Sequence, residues 1–211
     1  MKVYLIVGIG IDLDAFPFEK DAFLVGVDRG AILAVRSGIN LDLAVGDFDS
    51  VTSEEMGFIK KNSKELIALN PIKDDTDTHH AYSLIKDKAD SIVILGGIQG
   101  RRIEHFIALL NIIKADKKVS IVDSNSVIYR IDAQEEAYRI SKSDYKYISL
   151  FSISEAEITL EGFSYPLKDY RLTEDDSLCI SNQLKDDLGL IYLKKGSVVV
   201  ILSKDDNQYL N

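Results

Sequence analysis

The chain has 211 residues, enough for one large domain or two small ones, and its 46% hydrophobic content is ordinary for a protein with a packed core. A formal net charge of -9 argues against a general nucleic-acid binder, because such proteins hold phosphates with an excess of Lys and Arg. Its one cysteine, Cys179, excludes an internal disulfide and a thiolate metal cluster, and reads as a small buried hydrophobe in "SLCIS".

The opening "MKVYLIVGIGIDLD" is apolar but is broken by glycines and acids before it could span a bilayer. It is expected to be a buried strand of a cytoplasmic protein with no membrane partner. As far as about residue 131 the pattern alternates between short β-branched runs and helix-period segments, the signature of a parallel sheet with crossover helices. The predicted strands are "KVYLIV", "FLVGV", "LAVG", "ELIAL", "SIVIL" and "VSIVD". The predicted helices lie around "RGAILAVRSG", "SEEMGFIKKN", "DTHHAYSLIKDKA" and "RIEHFIALLNIIKAD". In the last of these, Ile103, Phe106, Ile107 and Leu110 make an i, i+3, i+4, i+7 stripe expected to face the sheet.

Beyond "VIYRIDAQEEAYRISKSDYK" the runs are strand-like and separated by turn residues: "ISLFSI", "EITLEGF", "SLCIS", "LIYLKKG" and "SVVVILS". The fold class expected is α/β, a parallel-sheet domain over 1–132, followed by a small antiparallel β domain, sandwich or barrel-like, over 133–211. A β domain this small has edges to hide, which favours docking on a partner subunit.

Ligands of parallel sheets bind outside the carboxyl ends of the strands, and the acids of this chain collect there. Asp28 follows "FLVGV"; Asp47 and Asp49 follow "LAVG" in "AVGDFDSV"; Asp74, Asp75 and Asp77 follow the next strand in "NPIKDDTD"; and "GGIQGRRIEH" follows "SIVIL". Taken singly, Asp28 and Asp77 also fit helix N-caps. That reading is weaker for Asp47 and Asp49, because Thr52 and Glu55 already supply a capping box for the following helix. A rim of oxygen ligands on an acidic protein points to a hard cation, foremost magnesium, whose charge keeps neighbouring carboxylates ionised. Gly96, Gly97 and Gly100 let backbone approach a phosphate, and Arg102 offers a fixed cationic fork. There is no GxxxxGK[ST] loop, and "GIGID" lacks the third glycine of a dinucleotide fingerprint.

In their order these motifs resemble the thiamine pyrophosphokinase family over nearly the whole chain. "VDRGA", which holds Asp28 and Gly30, resembles the family's Asp-x-Gly-Ala element; "GDFDSV" its Gly-Asp-Phe-Asp-Ser element; "PIKDDTDT" its Pro-x-Lys-Asp-x-Thr-Asp element, with Lys73, Asp74, Thr76 and Asp77. "GIQGRRIEH" is similar to its Gly-x-x-Gly-Gly-Arg-x-Asp-His stretch, with Arg101 in place of Gly and Glu104 in place of Asp. "ISNQL" and "KKGSVVVILSKD" are similar to its Ser-Asn motif and last strand. His79 stands where bacterial members often carry Glu, and Ile180 where some members pack an aromatic on thiamine; the chain has no Trp.

The resemblance implies a pyrophosphoryl transfer from ATP to the hydroxyl of thiamine, releasing AMP. It implies Asp47, Asp49 and Asp77 as magnesium ligands with Asp28 and Asp74 close by, and Lys73 and Arg102 on phosphate. Gly30, Thr76, Gly97, Gly100, Glu104, His105 and Asn111 are expected around the nucleotide, with Glu104 and Asn111 two helical turns, about 10 Å, apart. Ser181 and Asn182 are the expected thiamine contacts, in a pocket at the interface of a homodimer. Two other readings remain open on the residues alone: a magnesium phosphohydrolase or a pyrophosphokinase for another alcohol, and a silent nucleotide or thiamine binder.

Overall fold

Six short apolar runs and the four amphipathic segments between them build the first half of this computed structural model, which describes residues 1–70, 72, 75–99 and 102–205. The chain forms two compact units, one of Met1–Ile112 with Lys118–Ser124, the other of Ile113–Lys117 with Asn125–Asn211. The division thus falls ahead of the expected one at 132/133, because the strand Ser126–Asp132 pairs antiparallel within the second unit.

In the first unit the strands β1 (Lys2–Ile6), β2 (Phe23–Val27), β3 (Leu41–Gly46), β4 (Ser63–Ala68), β5 (Ser91–Leu95) and β6 (Val119–Val122) lie parallel in the order β4-β3-β2-β1-β5-β6. The chain works outward from β1 to β4 and then returns to the other side of β1 with β5. That reversal makes β1 and β5 the switch point, where the connections leave in opposite directions and open a crevice at the carboxyl edge. The helices are α1 (Arg29–Arg36), α2 (Ser53–Lys61), α3 (Asp77–Ile85) and α4 (Ile103–Ala115). Between β1 and β2 there is no helix; Tyr4, Phe16 and Phe18 pack edge to face instead, with centroids 4.9 to 5.5 Å apart.

Thr52 caps α2 with the reciprocal Glu55 contact that the sequence calls for. The stripe expected to bury α4 is corrected. Ile103 and Ile107 are 63% and 52% exposed, whereas Leu109, Ile112 and Ile113 are buried. The helix is apolar on more than one face, so periodicity alone left its rotation undetermined.

The second unit contains β7 (Ser126–Asp132), β8 (Tyr138–Ser141), β9 (Tyr147–Ser152), β10 (Ala156–Glu161), β11 (Leu167–Leu172), β12 (Leu188–Lys195) and β13 (Ser197–Ser203). They form antiparallel sheets in the orders β7-β13-β9 and β11-β10-β12-β8. Ile158, Leu160, Ile191 and Leu193 of one sheet share a core with Ile148, Leu150, Val198 and Val200 of the other, so the unit is a sandwich. Gly196 (φ 82) turns the chain between β12 and β13, where a Cβ would lie 2.4 Å from the Glu155 carbonyl oxygen. "SLCIS", expected as a strand, is a turn that runs along β9. Ser181 sits at φ 57, a left-handed conformation that breaks the ladder.

Candidate active site at the carboxyl edge

Strand order brings the acids together. Because β2, β3 and β4 are neighbours, the residues that follow them leave the sheet side by side. Carboxylate oxygens of Asp28, Asp47 and Asp49 lie within 4.8 Å of one another. Asp47 accepts the Asp49 N–H at 3.2 Å, which folds the loop so that both side chains stay close. Phe48 between them is buried and held at φ 54, and Asp28 is held at φ 46. Two non-glycine residues in sparsely populated backbone conformations at one rim are the kind of strain that a surrounding fold must maintain.

Gly46 is what lets these loops touch, since a Cβ there would lie 2.9 Å from the Asp28 Cα. The Asp28 N–H donates to the Val45 carbonyl at 2.8 Å, tying the end of β2 to the end of β3. Asp28 occupies the N-cap position of α1 but makes no side-chain cap bond, so capping does not account for its carboxylate. Its Oδ1 is buried without a hydrogen-bond partner. Burial first, then the charges of Asp77, Asp47 and Asp49, push this carboxyl above the ordinary range, while the Arg29 backbone N–H pulls the other way.

A buried, unsatisfied carboxylate oxygen among other acids suits a divalent cation. An all-oxygen set of this kind fits magnesium, which takes one or two carboxylates and completes its shell with water and phosphate. Asp77 is the first residue of α3, whose cap is Thr76, accepting the His79 N–H at 3.1 Å. Asp77 is therefore not the cap residue, and its charge acts on Asp28 although it stands outside the tight trio. Lys73, Asp74 and Gly100 lie outside the described residues, as do Pro71 and Arg101.

Beside Asp28 a cleft of about 410 Å³ opens at the β1/β5 switch point. Asp28, Gly97, Arg102 and His105, all expected from sequence, line it together with Gly8, Ile9, Leu33 and Gln99, which were not. For Gly8 and Ile9 the signal was "GIG" after β1, which is no dinucleotide fingerprint but lies at the switch point all the same. Gly97 (φ 85) has no room for a side chain, because a Cβ would meet Leu109 Cδ1 at 2.7 Å. Arg102 Nε donates to Glu104 Oε1 at 2.7 Å, and this bond holds the exposed Glu104 carboxyl below its usual range.

Not every expected residue faces the cleft. Gly30 is buried in packing: a Cβ would lie 2.0 Å from the Ile6 carbonyl oxygen, so it allows α1 to lie against the end of β1. Glu104 and Asn111 are exposed on α4 and are not part of the cleft lining. In the second unit Ser181 is exposed, whereas Asn182 is buried at 5% exposure with its amide engaged by backbone. A larger cavity, about 710 Å³, lies on the outer side of the four-stranded sheet against Thr159, Tyr192 and Lys194. Lys194 is already paired there with Asp169 at 2.5 Å and Glu157 at 3.4 Å, and the acid cluster is elsewhere.

Comparison with known proteins agrees with this geometry. The family pattern described as thiamin pyrophosphokinase, catalytic domain, matches residues 17–122, and that described as thiamin pyrophosphokinase, vitamin B1 binding domain, matches residues 130–198. Thiamine pyrophosphokinase of Bacillus subtilis (strain 168) is 35% identical over 194 residues, covering 89% of this chain and 90% of its own. Crystal structures of thiamine pyrophosphokinase from Bacillus subtilis and of thiamin pyrophosphokinase from Geobacillus thermodenitrificans superpose with TM-scores of 0.83 and 0.82. Each is 29% identical, and they cover 97% and 98% of this chain and 100% and 99% of theirs. With two family domains in order and a relative matched along most of both lengths, the chain belongs to the thiamin pyrophosphokinase family.

Proposed function

We infer that this protein transfers the pyrophosphoryl group of ATP to the hydroxyl of thiamine, giving thiamine diphosphate and AMP. The observation that carries the reading is the trio of Asp28, Asp47 and Asp49 at the mouth of a switch-point cleft that also holds Gly97 and Arg102. In the transfer the thiamine hydroxyl oxygen bonds to the β-phosphorus and gives up its proton to solvent, while the bond from that phosphorus to the oxygen shared with the α-phosphate breaks and that oxygen leaves on AMP with the electron pair. Such a reaction asks for alignment and charge neutralisation more than for a covalent contribution from the protein.

Magnesium, held by Asp28, Asp47 and Asp49 with Asp77 beside them, would supply positive charge against the phosphate oxygens. Arg102 adds a planar cation at the same cleft, steadied by Glu104. Gly97 lets the chain pass close to phosphate, and His105 borders the cleft. Lys73 and Asp74 are assigned from their motif to phosphate and to the metal's surroundings. Ser181 serves the thiamine end.

The enzyme works as a homodimer, with the thiamine site at the subunit interface. Exposed Ile103 and Ile107 on α4 and the small sandwich with its free edges support that arrangement. Incubation with ATP, magnesium and thiamine, followed by mass analysis, tests the reaction. Thiamine diphosphate and AMP in equal amounts are expected; ADP as the nucleotide product, or AMP release that ignores thiamine, would overturn it.

A further inference from the structure

Helix α1 carries a charge at the end where a helix tolerates it least. Arg29 is its first residue, no acid lies in its first turn, and Arg36 is its last residue. The peptide dipole favours a cation at the carboxyl end, as for Arg36, and disfavours one at the amino end. Arg29 thus stands against the preference of its own helix, and departures of that kind collect at functional positions.

Nothing in the fold compensates it. Arg29 is exposed, and among the described residues its guanidinium makes no hydrogen bond or ion pair. The acid that feels its charge on α2 is Glu55, whose carboxyl is held below its usual range first by the Thr52 N–H and hydroxyl and then by the charges of Arg36 and Arg29. Both oxygens of Glu55 are already engaged. Oε1 accepts Arg36 Nη2 at 2.8 Å, and Oε2 accepts the Thr52 N–H at 2.9 Å and its hydroxyl at 3.0 Å. Arg36 therefore occupies the carboxylate that would otherwise draw Arg29 away.

The Arg29 side chain is left in the wall of the switch-point cleft. Arg29 and Leu33, about one helical turn apart, line it from α1, while Gly97, Gln99 and Arg102 line it from the segment after β5. Leu33 and Ser37 also border a mostly apolar hollow of about 230 Å³ that shares Gly8 and Ile9 with the cleft. Along α1 the order is Asp28 of the acid trio, then Arg29, then the hollow. A nucleoside triphosphate read from its reacting β-phosphate has a matching order: that phosphate, the α-phosphate, the nucleoside.

We propose that Arg29 is a catalytic residue for the leaving group, donating from its guanidinium to the α-phosphate of ATP and of the AMP that departs. This rests on the pyrophosphoryl-transfer reading above. As the bond between the β-phosphorus and the bridging oxygen breaks, the electron pair stays on that oxygen and negative charge grows on the α-phosphate. A planar cation at that place meets the growing charge with parallel N–H donors, and no proton has to move. Arg29 fills the open position of the Asp-x-Gly-Ala element, so no motif announced it.

The test combines calorimetric titration of AMP with steady-state kinetics in which ATP and thiamine are varied, on wild type, Arg29→Lys and Arg29→Met. Arg29→Met is expected to weaken AMP binding about tenfold and to lower kcat/KM for ATP about a hundredfold, with the KM for thiamine unchanged. Arg29→Lys keeps the charge without the fork and recovers part of both losses. The melting temperature of Arg29→Met stays at or slightly above the wild-type value, because a charge leaves the unfavourable end of α1. Equal AMP affinity in wild type and Arg29→Met, or no AMP binding by wild type, would overturn the proposal. So would a lower melting temperature with ATP and thiamine constants impaired together, the mark of a merely structural arginine. Wild type that makes no thiamine diphosphate would instead sink the functional reading beneath it.

Discussion

Asp28 shows how a single residue carries conflicting demands. Its folded environment favours the protonated carboxyl, so as pH rises from the ordinary carboxylate range through its raised value, ionisation weakens the metal-free protein. Asp28→Asn should therefore raise the melting temperature without divalent ions while abolishing turnover, and added magnesium should stabilise wild type but not this variant. A fall in metal-free stability on that substitution would contradict the assignment. Asp49 is exposed and the least of the acids acting on Asp28, so Asp49→Asn should leave the melting curve in place or raise it slightly and lower kcat about a hundredfold or more. Cys179 gives a check on packing: it is 2% exposed, and burial raises its thiol to about 11, so a disulfide reagent at pH 8 should label it only after unfolding. Rapid labelling of the native protein would mean that the 178–182 segment does not pack as described.

Among the elements, those bounded by strong local chemistry were legible in advance and those set by packing were not. Thr52 with Glu55 marks the start of α2 in sequence and in structure, because capping is local. Asp28 and Asp77 looked like caps, yet Asp28 makes no cap bond, and the role near Asp77 belongs to Thr76; both facts depend on loop geometry that no periodicity encodes. The face that α4 buries was misjudged because Ile and Leu occur all round it. The "SLCIS" segment satisfies strand composition, but Ser181 at φ 57 and the Asn182 grip on Tyr165 keep it a turn. β7, β8 and β11 escaped notice for a related reason, since charged residues such as Arg130, Arg139 and Asp169 interrupt their apolar pattern. At Gly30 the element-level prediction is sharp: Gly30→Ala forces α1 away from β1 and should cost about 3 kcal/mol of stability, measured by urea unfolding. A variant as stable as wild type would show that α1 does not sit so close to the Ile6 carbonyl.

Across the molecule, strand order turns scattered motifs into one site. Acids at positions 28, 47 and 49 are distant in sequence and adjacent in space because β2 and β3 pair in parallel, and the cleft follows from the reversal at β1 and β5. Alternating β and α segments made that architecture readable from the chain, whereas Leu33 in the cleft lining had no motif to announce it. Among the described residues no helix is long and apolar enough to cross a membrane. The proposed dimer predicts a sedimentation coefficient of two chains at micromolar protein; a fully active monomer would remove the interface from the account. Most direct of all is the electron paramagnetic resonance titration of manganese(II), standing in for magnesium, into wild type and Asp49→Asn with a non-hydrolysable ATP analogue present. Saturable binding in wild type that is at least tenfold weaker in Asp49→Asn is the predicted result. Equal affinity in both would contradict the claim that these carboxylates hold the ion.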